Sequence, residues 1–234
     1  MLELILEDIK TNKISSVEIA DALGKTGVLP DLRPLNKSKY VAAKVFYVST
    51  WAQSNWPLHE QIQRAPRDSI VFVDSFDCNS RAVLGDLVAK QLFTYQKISG
   101  LVVNGYIRDA HRLIKEDYPI WCLGTTPLGC HNREVTLDNA TSKKVNLRSE
   151  YIENAIIVAD DSGCTLIPKD RLNNELIDAL AHIELQEDIW YYCLDTLKMT
   201  TYEIICLKQY LYRPELLPSS LMDKFKSLKC IDNE

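Results

Sequence analysis

Arg108-Asp109 follows the apolar run Leu101-Val102-Val103 by a few residues, so a guanidinium and a carboxylate emerge where a buried strand ends. The run is continuous rather than alternating, which suits a strand covered on both faces, and the carboxyl ends of such strands are where open α/β sheets collect ligands. Gly85-Asp86-Leu87-Val88 supplies the complementary half. A glycine lets a ligand approach the backbone, and the first amides of a following helix lack intrahelical partners, so a carboxylate could dock there. Arg108 would close the clamp with a planar fork suited to a carboxylate or to an oxygen gaining charge. Asp109, expected to point elsewhere, offers a hard oxygen ligand of the kind Mg²⁺ takes alongside water and a chelating substrate. Local features also allow a simpler arrangement, with Asp109 and Asp86 capping helices and Arg108 in a surface ion pair.

The elements needed to position these groups can be read from periodicity. Leu2, Ile5, Leu6 and Ile9 predict a short amphipathic helix over 1–10, and Ser15-Ser16-Val17-Glu18 a capped second helix through Leu23 that stops at Gly24. Strands are expected at 45–48, 70–73, 101–103 and 120–123. Residues 51–63 read as a loop leading into a helix. Gly85-Asp86 opens another helix, with Val88, Leu92 and Tyr95 on one face, and a further helix is expected over 110–115. Alternation of strand and helix implies parallel pairing through right-handed crossovers. Ala155–Ala159 and Cys164–Ile167 flank the turn Asp160-Asp161-Ser162-Gly163 as an antiparallel pair, which makes the sheet mixed. From Asp170 the pattern is helical, with a stripe at Leu172, Leu176, Ala179, Leu180 and Ile183, and a last amphipathic piece spans 219–228. The expected organisation is a core over 1–170 and a helical extension over 171–234, packed on the core or on a neighbouring subunit.

Composition narrows the function. A net charge of −5 provides no electrostatic footprint for nucleic acid or an anionic membrane, and no stretch is apolar enough to cross a bilayer. The amino terminus lacks the zones of a signal peptide. Seven cysteines, with no C-x-x-C pair, fit reduced thiols in a cytoplasmic protein. Cys130-His131 is expected to be a pair of loop residues, and His111 a solvent or interface histidine.

Several stretches in order resemble the RraA-like family, named for regulator of ribonuclease activity A, which also contains the class II 4-hydroxy-4-methyl-2-oxoglutarate aldolases. They are Ala20-Asp21-Ala22-Leu23-Gly24, Val73-Asp74, Gly85-Asp86-Leu87-Val88, Val103-Asn104-Gly105-Tyr106-Ile107-Arg108-Asp109, Leu123-Gly124-Thr125-Thr126-Pro127 and Ala159-Asp160-Asp161-Ser162-Gly163. The resemblance implies a swivelling β/β/α fold and a ring-shaped homotrimer or hexamer with its site between subunits. It further implies substrate binding by Gly85, Asp86, Leu87 and Val88, a catalytic and substrate-binding Arg108, Mg²⁺ or Mn²⁺ held by Asp109, and Asp86 helping to position water at the metal. Glu184 and Glu187 are candidates for an acid contributed to a neighbouring subunit.

The implied activity is cleavage of 4-hydroxy-4-methyl-2-oxoglutarate, or decarboxylation of oxaloacetate, through a common pyruvate enolate. Arg112 stands where the aldolases usually carry an acid. That departure supports an alternative, a non-enzymatic regulator that binds and inhibits a ribonuclease or another protein. A third activity associated with the family, demethylmenaquinone methylation, lacks the glycine-rich loop a nucleotide-like cofactor would need.

Overall fold

The computed structural model describes residues 1–231, which divide into two units, Met1–Asn173 and the segment from Asn174 onward. In the first unit, helices α1 (Leu2–Asn12) and α2 (Ser16–Ala22) precede the sheet. Ser15 caps α2 by accepting from the Glu18 amide while the Glu18 carboxylate accepts from the Ser15 amide, the reciprocal box its sequence predicts.

The strands are β1 (Val28–Leu29), β2 (Arg33–Pro34), β3 (Val41–Trp51), β4 (Ile70–Phe76), β5 (Ala82–Leu84), β6 (Gly100–Ile107), β7 (Ile120–Thr125), β8 (Ile156–Asp160) and β9 (Gly163–Ile167). They form one mixed sheet in the order β1-β9-β8-β3-β4-β6-β7-β2, with β5 added beside β6. Strands β3, β4, β6 and β7 run parallel, as the alternation of strand and helix requires, while β8 and β9 form the antiparallel hairpin. This is the mixed α/β fold expected, and its strands are longer than the apolar runs that announce them.

The continuous apolar runs are explained by two cores. Val71, Val73, Leu101 and Val103 pack into one, together with Leu58, Val88, Leu92 and Leu113 from the helices. Ile70, Phe72, Val102 and Trp121 point the other way, into a core with Ile157, Leu166 and Ile152. Successive strand residues face opposite sides, so burial on both sides removes the polar alternation.

The connecting helices are short: α3 (Trp56–Gln61), α4 (Asp86–Lys90) and α5 (Ala110–Lys115). After Lys90 the chain widens into a π-helical turn over Gln91–Gln96. The resulting change of register leaves Tyr95 74% exposed, whereas the α-helical spacing from Val88 placed it on the buried face. A helix absent from the sequence expectations, α6 (Asn139–Ile152), buries only Thr141 and Ile152, so it has no apolar stripe to reveal it. Its one local signal is Asp138, which accepts from the amides of Ala140 and Thr141.

The second unit contains α7 (Asn174–Asp195), α8 (Gln209–Tyr212) and α9 (Ser219–Ile231) around its own small core of Leu185, Ile189, Cys193, Ile204, Tyr210 and Leu217. Trp190 and Tyr192 pack there, and the Trp190 indole donates to the Tyr210 hydroxyl at 3.2 Å. Tyr191, Tyr202 and Tyr212 are exposed. The stripe buried along α7 is Leu176, Leu180, Leu185, Ile189 and Cys193. Among the described residues no helix is long and apolar enough to cross a membrane. The six cysteines whose side chains are described are all free thiols, and the Cys230 side chain lies outside the described residues.

Candidate active site

Strands β5 and β6 bring the two sequence motifs together. They run parallel, and the Arg108 amide donates to the Leu84 carbonyl at 3.0 Å, so residue 108 is registered against the start of α4. Immediately afterwards Asp109 adopts the left-handed conformation (φ 60°, ψ 30°), one that Asp tolerates better than most residues. Asp109 occupies the N-cap position of α5, but its side chain makes no cap hydrogen bond there. Instead its Oδ2 turns back to accept from the Asp86 amide at 3.3 Å. The capping role that local sequence allowed is therefore not the one the carboxylate performs.

The turn also makes Arg108 and Asp109 converge, where the sequence suggested they would diverge. Arg108 Nε lies 3.6 Å from Asp109 Oδ2, and both side chains press on Gly85. A Cβ at Gly85 would sit 2.3 Å from Asp109 Oδ2 and 2.9 Å from Arg108 Cγ. The Gly85 backbone is extended (φ −147°), so the position is reserved for glycine by this close approach and not by its own dihedral angles. A second glycine borders the guanidinium on its far side, because a Cβ at Gly129 would fall 2.7 Å from Arg108 Nη1. Arg108 thus threads between two side-chain-free positions.

Gly129 has no local signal in the sequence, because long-range stitching places it. The Ala82 amide donates to the Leu128 carbonyl at 2.8 Å, the Cys130 amide to the Ala82 carbonyl at 2.9 Å, and Arg81 Nη1 to the Gly129 carbonyl at 2.9 Å. A further link, from the Asn55 amide to the His131 carbonyl at 3.1 Å, brings the start of α3 alongside. The result is a cavity of about 160 Å³ with Gly85–Val88, Arg108 and Asp109 on one side and Asn55, His59, Gly129, Cys130 and Asn132 on the other. Burial lowers the pKa of His59, which favours the neutral ring at neutral pH. His111 is exposed and lines an adjoining depression with Thr125, Thr126 and Pro127, which shares Arg108 and Asp109 with the cavity.

Charge at the mouth is set by a residue of α5. Arg112 Nη1 lies 2.7 Å from Asp86 Oδ2, and this guanidinium holds the Asp86 carboxyl below the usual carboxylate range. Two arginines and two aspartates balance locally. Among the described residues no group of three or more His, Cys, Asp or Glu side chains gathers to form a closed metal cage. The donor chemistry instead fits an open Mg²⁺-type site, in which one protein carboxylate suffices. The Asp109 side chain is 34% exposed, and the space beside it is one that a Cβ at Gly85 would have filled. Glu184 and Glu187 lie on α7 in the second unit.

The Gly85→Ala variant is expected to fold, because the atoms met by its Cβ belong to movable side chains, and to push Asp109 and Arg108 away from the start of α4. Circular dichroism alongside a crystal structure of the variant checks both halves of that expectation.

The model of the RraA-like family, described as Aldolase/RraA, matches residues 16–166, and the chain belongs to this family. A protein of Halalkalibacterium halodurans named "Putative 4-hydroxy-4-methyl-2-oxoglutarate aldolase" is 31% identical over 170 residues, 68% of this chain and 74% of that one. Protein DlpA of Legionella pneumophila is 27% identical over 185 residues, covering 74% of this chain but only 29% of its own length. Among solved structures, RraAS2 of Streptomyces coelicolor, described as an unusual member of the RNase ES inhibitor RraA family, superposes with a TM-score of 0.59 at 21% identity over 76% of this chain and 93% of its own. An uncharacterized protein of Pseudomonas syringae gives a TM-score of 0.62 at 19% identity over 83% and 93%. These two likenesses establish the fold.

Proposed function

We propose that this chain is a divalent-cation-dependent carbon–carbon lyase acting on small 2-keto dicarboxylates, of the 4-hydroxy-4-methyl-2-oxoglutarate aldolase and oxaloacetate decarboxylase type. The observation that carries this reading is the meeting of Arg108 and Asp109 at Gly85 beside the start of α4. In this reading the backbone at Asp86, Leu87 and Val88 receives the substrate carboxylate, with no side chain at residue 85 in the way. Arg108, fixed between Gly85 and Gly129, places its fork at the 2-keto oxygen, where negative charge grows. Asp109 is the ligand for Mg²⁺ or Mn²⁺, and a bound cation would supply Lewis-acid polarisation of the keto group.

Two reactions share one intermediate. In retro-aldol cleavage the 4-hydroxyl gives its proton to a water in the cavity, the C3–C4 bond breaks, and its electron pair enters the enolate of one pyruvate, which takes a proton from water at C3, while the other half leaves as a second pyruvate. In decarboxylation the C3–C4 bond of oxaloacetate releases CO₂ to the same enolate, which a proton at C3 then quenches. Arg108 stabilises that enolate in both, so one site serves both reactions. Assembly into a ring-shaped trimer or hexamer, with an acid such as Glu184 or Glu187 from a neighbouring copy, belongs to the same proposal.

One observation favours a second reading. The Arg112–Asp86 ion pair neutralises a carboxylate the chemistry would use, as suits a scaffold that binds a protein partner, such as a ribonuclease, and performs no chemistry. Pyruvate release from 4-hydroxy-4-methyl-2-oxoglutarate and from oxaloacetate, coupled to lactate dehydrogenase, separates the two. Turnover above the uncatalysed rate is expected with either substrate, and none with either would leave the partner-binding reading standing.

A further inference from the structure

Arg112 has no part in the lyase scheme, yet its guanidinium carries the shortest ion-pair contact at the site, 2.7 Å from Asp86 Oδ2. It sits on α5 one turn after Asp109, and its amide donates to the Asp109 carbonyl at 2.9 Å, so helix geometry fixes its base beside the proposed cation ligand. We propose that Arg112 sets the cation affinity of this site, its guanidinium occupying Asp86 and opposing a divalent ion at Asp109. The inference rests on the lyase reading, which makes Asp109 the ligand, and it concerns a residue to which that reading assigns nothing.

A divalent ion at Asp109 gains from the neighbouring Asp86 carboxylate only to the extent that Asp86 is not already paired, and a fixed positive charge close by adds repulsion. With 65% of the Arg112 side chain exposed, solvent screens both effects, which limits them to about tenfold in affinity instead of several orders of magnitude. A bound carboxylate substrate would offset the repulsion, so the cation would be held far better with an anion present than alone. Such a site would be nearly cation-free until substrate arrives.

The test is Mn²⁺ binding, followed by the electron paramagnetic resonance signal of free Mn²⁺, on full-length wild type, Arg112→Ala and Arg112→Glu, each with and without Asp109→Ala. Dissociation constants about tenfold tighter in Arg112→Ala, and tighter still in Arg112→Glu, are expected, with both gains erased by Asp109→Ala. Equal or weaker Mn²⁺ binding in the Arg112 variants, with Asp109→Ala still abolishing it in wild type, would overturn this proposal and leave the lyase reading in place. Mn²⁺ binding indifferent to Asp109 in every background would remove the metal assignment and this inference together.

Discussion

Arg108→Ala is expected to lower kcat/KM for pyruvate release by about 10³-fold, equivalent to about 4 kcal/mol of transition-state stabilisation, while leaving thermal stability nearly unchanged. The size of the loss follows from geometry. The side chain threads between Gly85 and Gly129 at the cavity, so few other groups can take its place against a developing oxyanion. The small stability effect follows from exposure, since 52% of the side chain is open to solvent and its contact with Asp109 is a long 3.6 Å. Arg108→Lys keeps the charge but loses the planar fork, and about 10²-fold of the loss should remain. Steady-state kinetics of the three proteins, with melting curves alongside, checks the pattern. A Lys variant as active as wild type would mean that charge alone matters there.

The largest stability effect is expected on the strand next to the site strand. Asp74 on β4, with 3% of its side chain exposed, is held by Arg148 Nε at 2.9 Å, by Asn104 Nδ2 at 2.7 Å and by the Tyr47 hydroxyl at 3.2 Å. Arg148 also lies over the Phe72 ring, 5.9 Å from its centroid. Removing the carboxylate strands three donors, of which Arg148, 35% exposed, can turn partly to solvent. Breaking a fully buried pair from one side costs about 3–5 kcal/mol, and this exposure lowers the cost to about 2–3 kcal/mol, so Asp74→Ala should lower the melting temperature by roughly 5–10 °C. Replacing both partners leaves no lone charge, and the double variant Asp74→Ala/Arg148→Met should lose less than the sum of the single losses. Urea denaturation of the four proteins measures the coupling, and strict additivity would show that the pair contributes no more than its parts.

How far the sequence foretells this site depends on whether the signal is local. Arg108-Asp109 and Gly85-Asp86 are dipeptides at a strand end and a helix start, and strand order brings them together through the β5–β6 pairing. The capping box at Ser15 and the acidic hairpin turn are local too. The Asp160 carboxylate of that turn accepts from the Ser16 amide and hydroxyl at 2.7 Å, docking α2 on the hairpin. Asn55, His59, Gly129, Cys130 and Asn132 carry no such signal, because backbone hydrogen bonds between segments some 50 to 80 residues apart deliver them to the cavity. The exposure of Tyr95 was hidden for a different reason, since a π-helical turn shifts the register without leaving a mark in hydrophobic spacing. The convergence of Arg108 and Asp109 depends on one left-handed residue, which an Asp permits but does not announce.

The proposed role of Asp109 as ligand to a divalent cation in carbon–carbon cleavage is tested most directly by the Mg²⁺ dependence of pyruvate release in wild type and Asp109→Ala. Wild type should be silenced by EDTA and restored by excess Mg²⁺ or Mn²⁺, and Asp109→Ala should stay silent at every cation concentration tried. Pyruvate release that persists in EDTA and survives Asp109→Ala would contradict it.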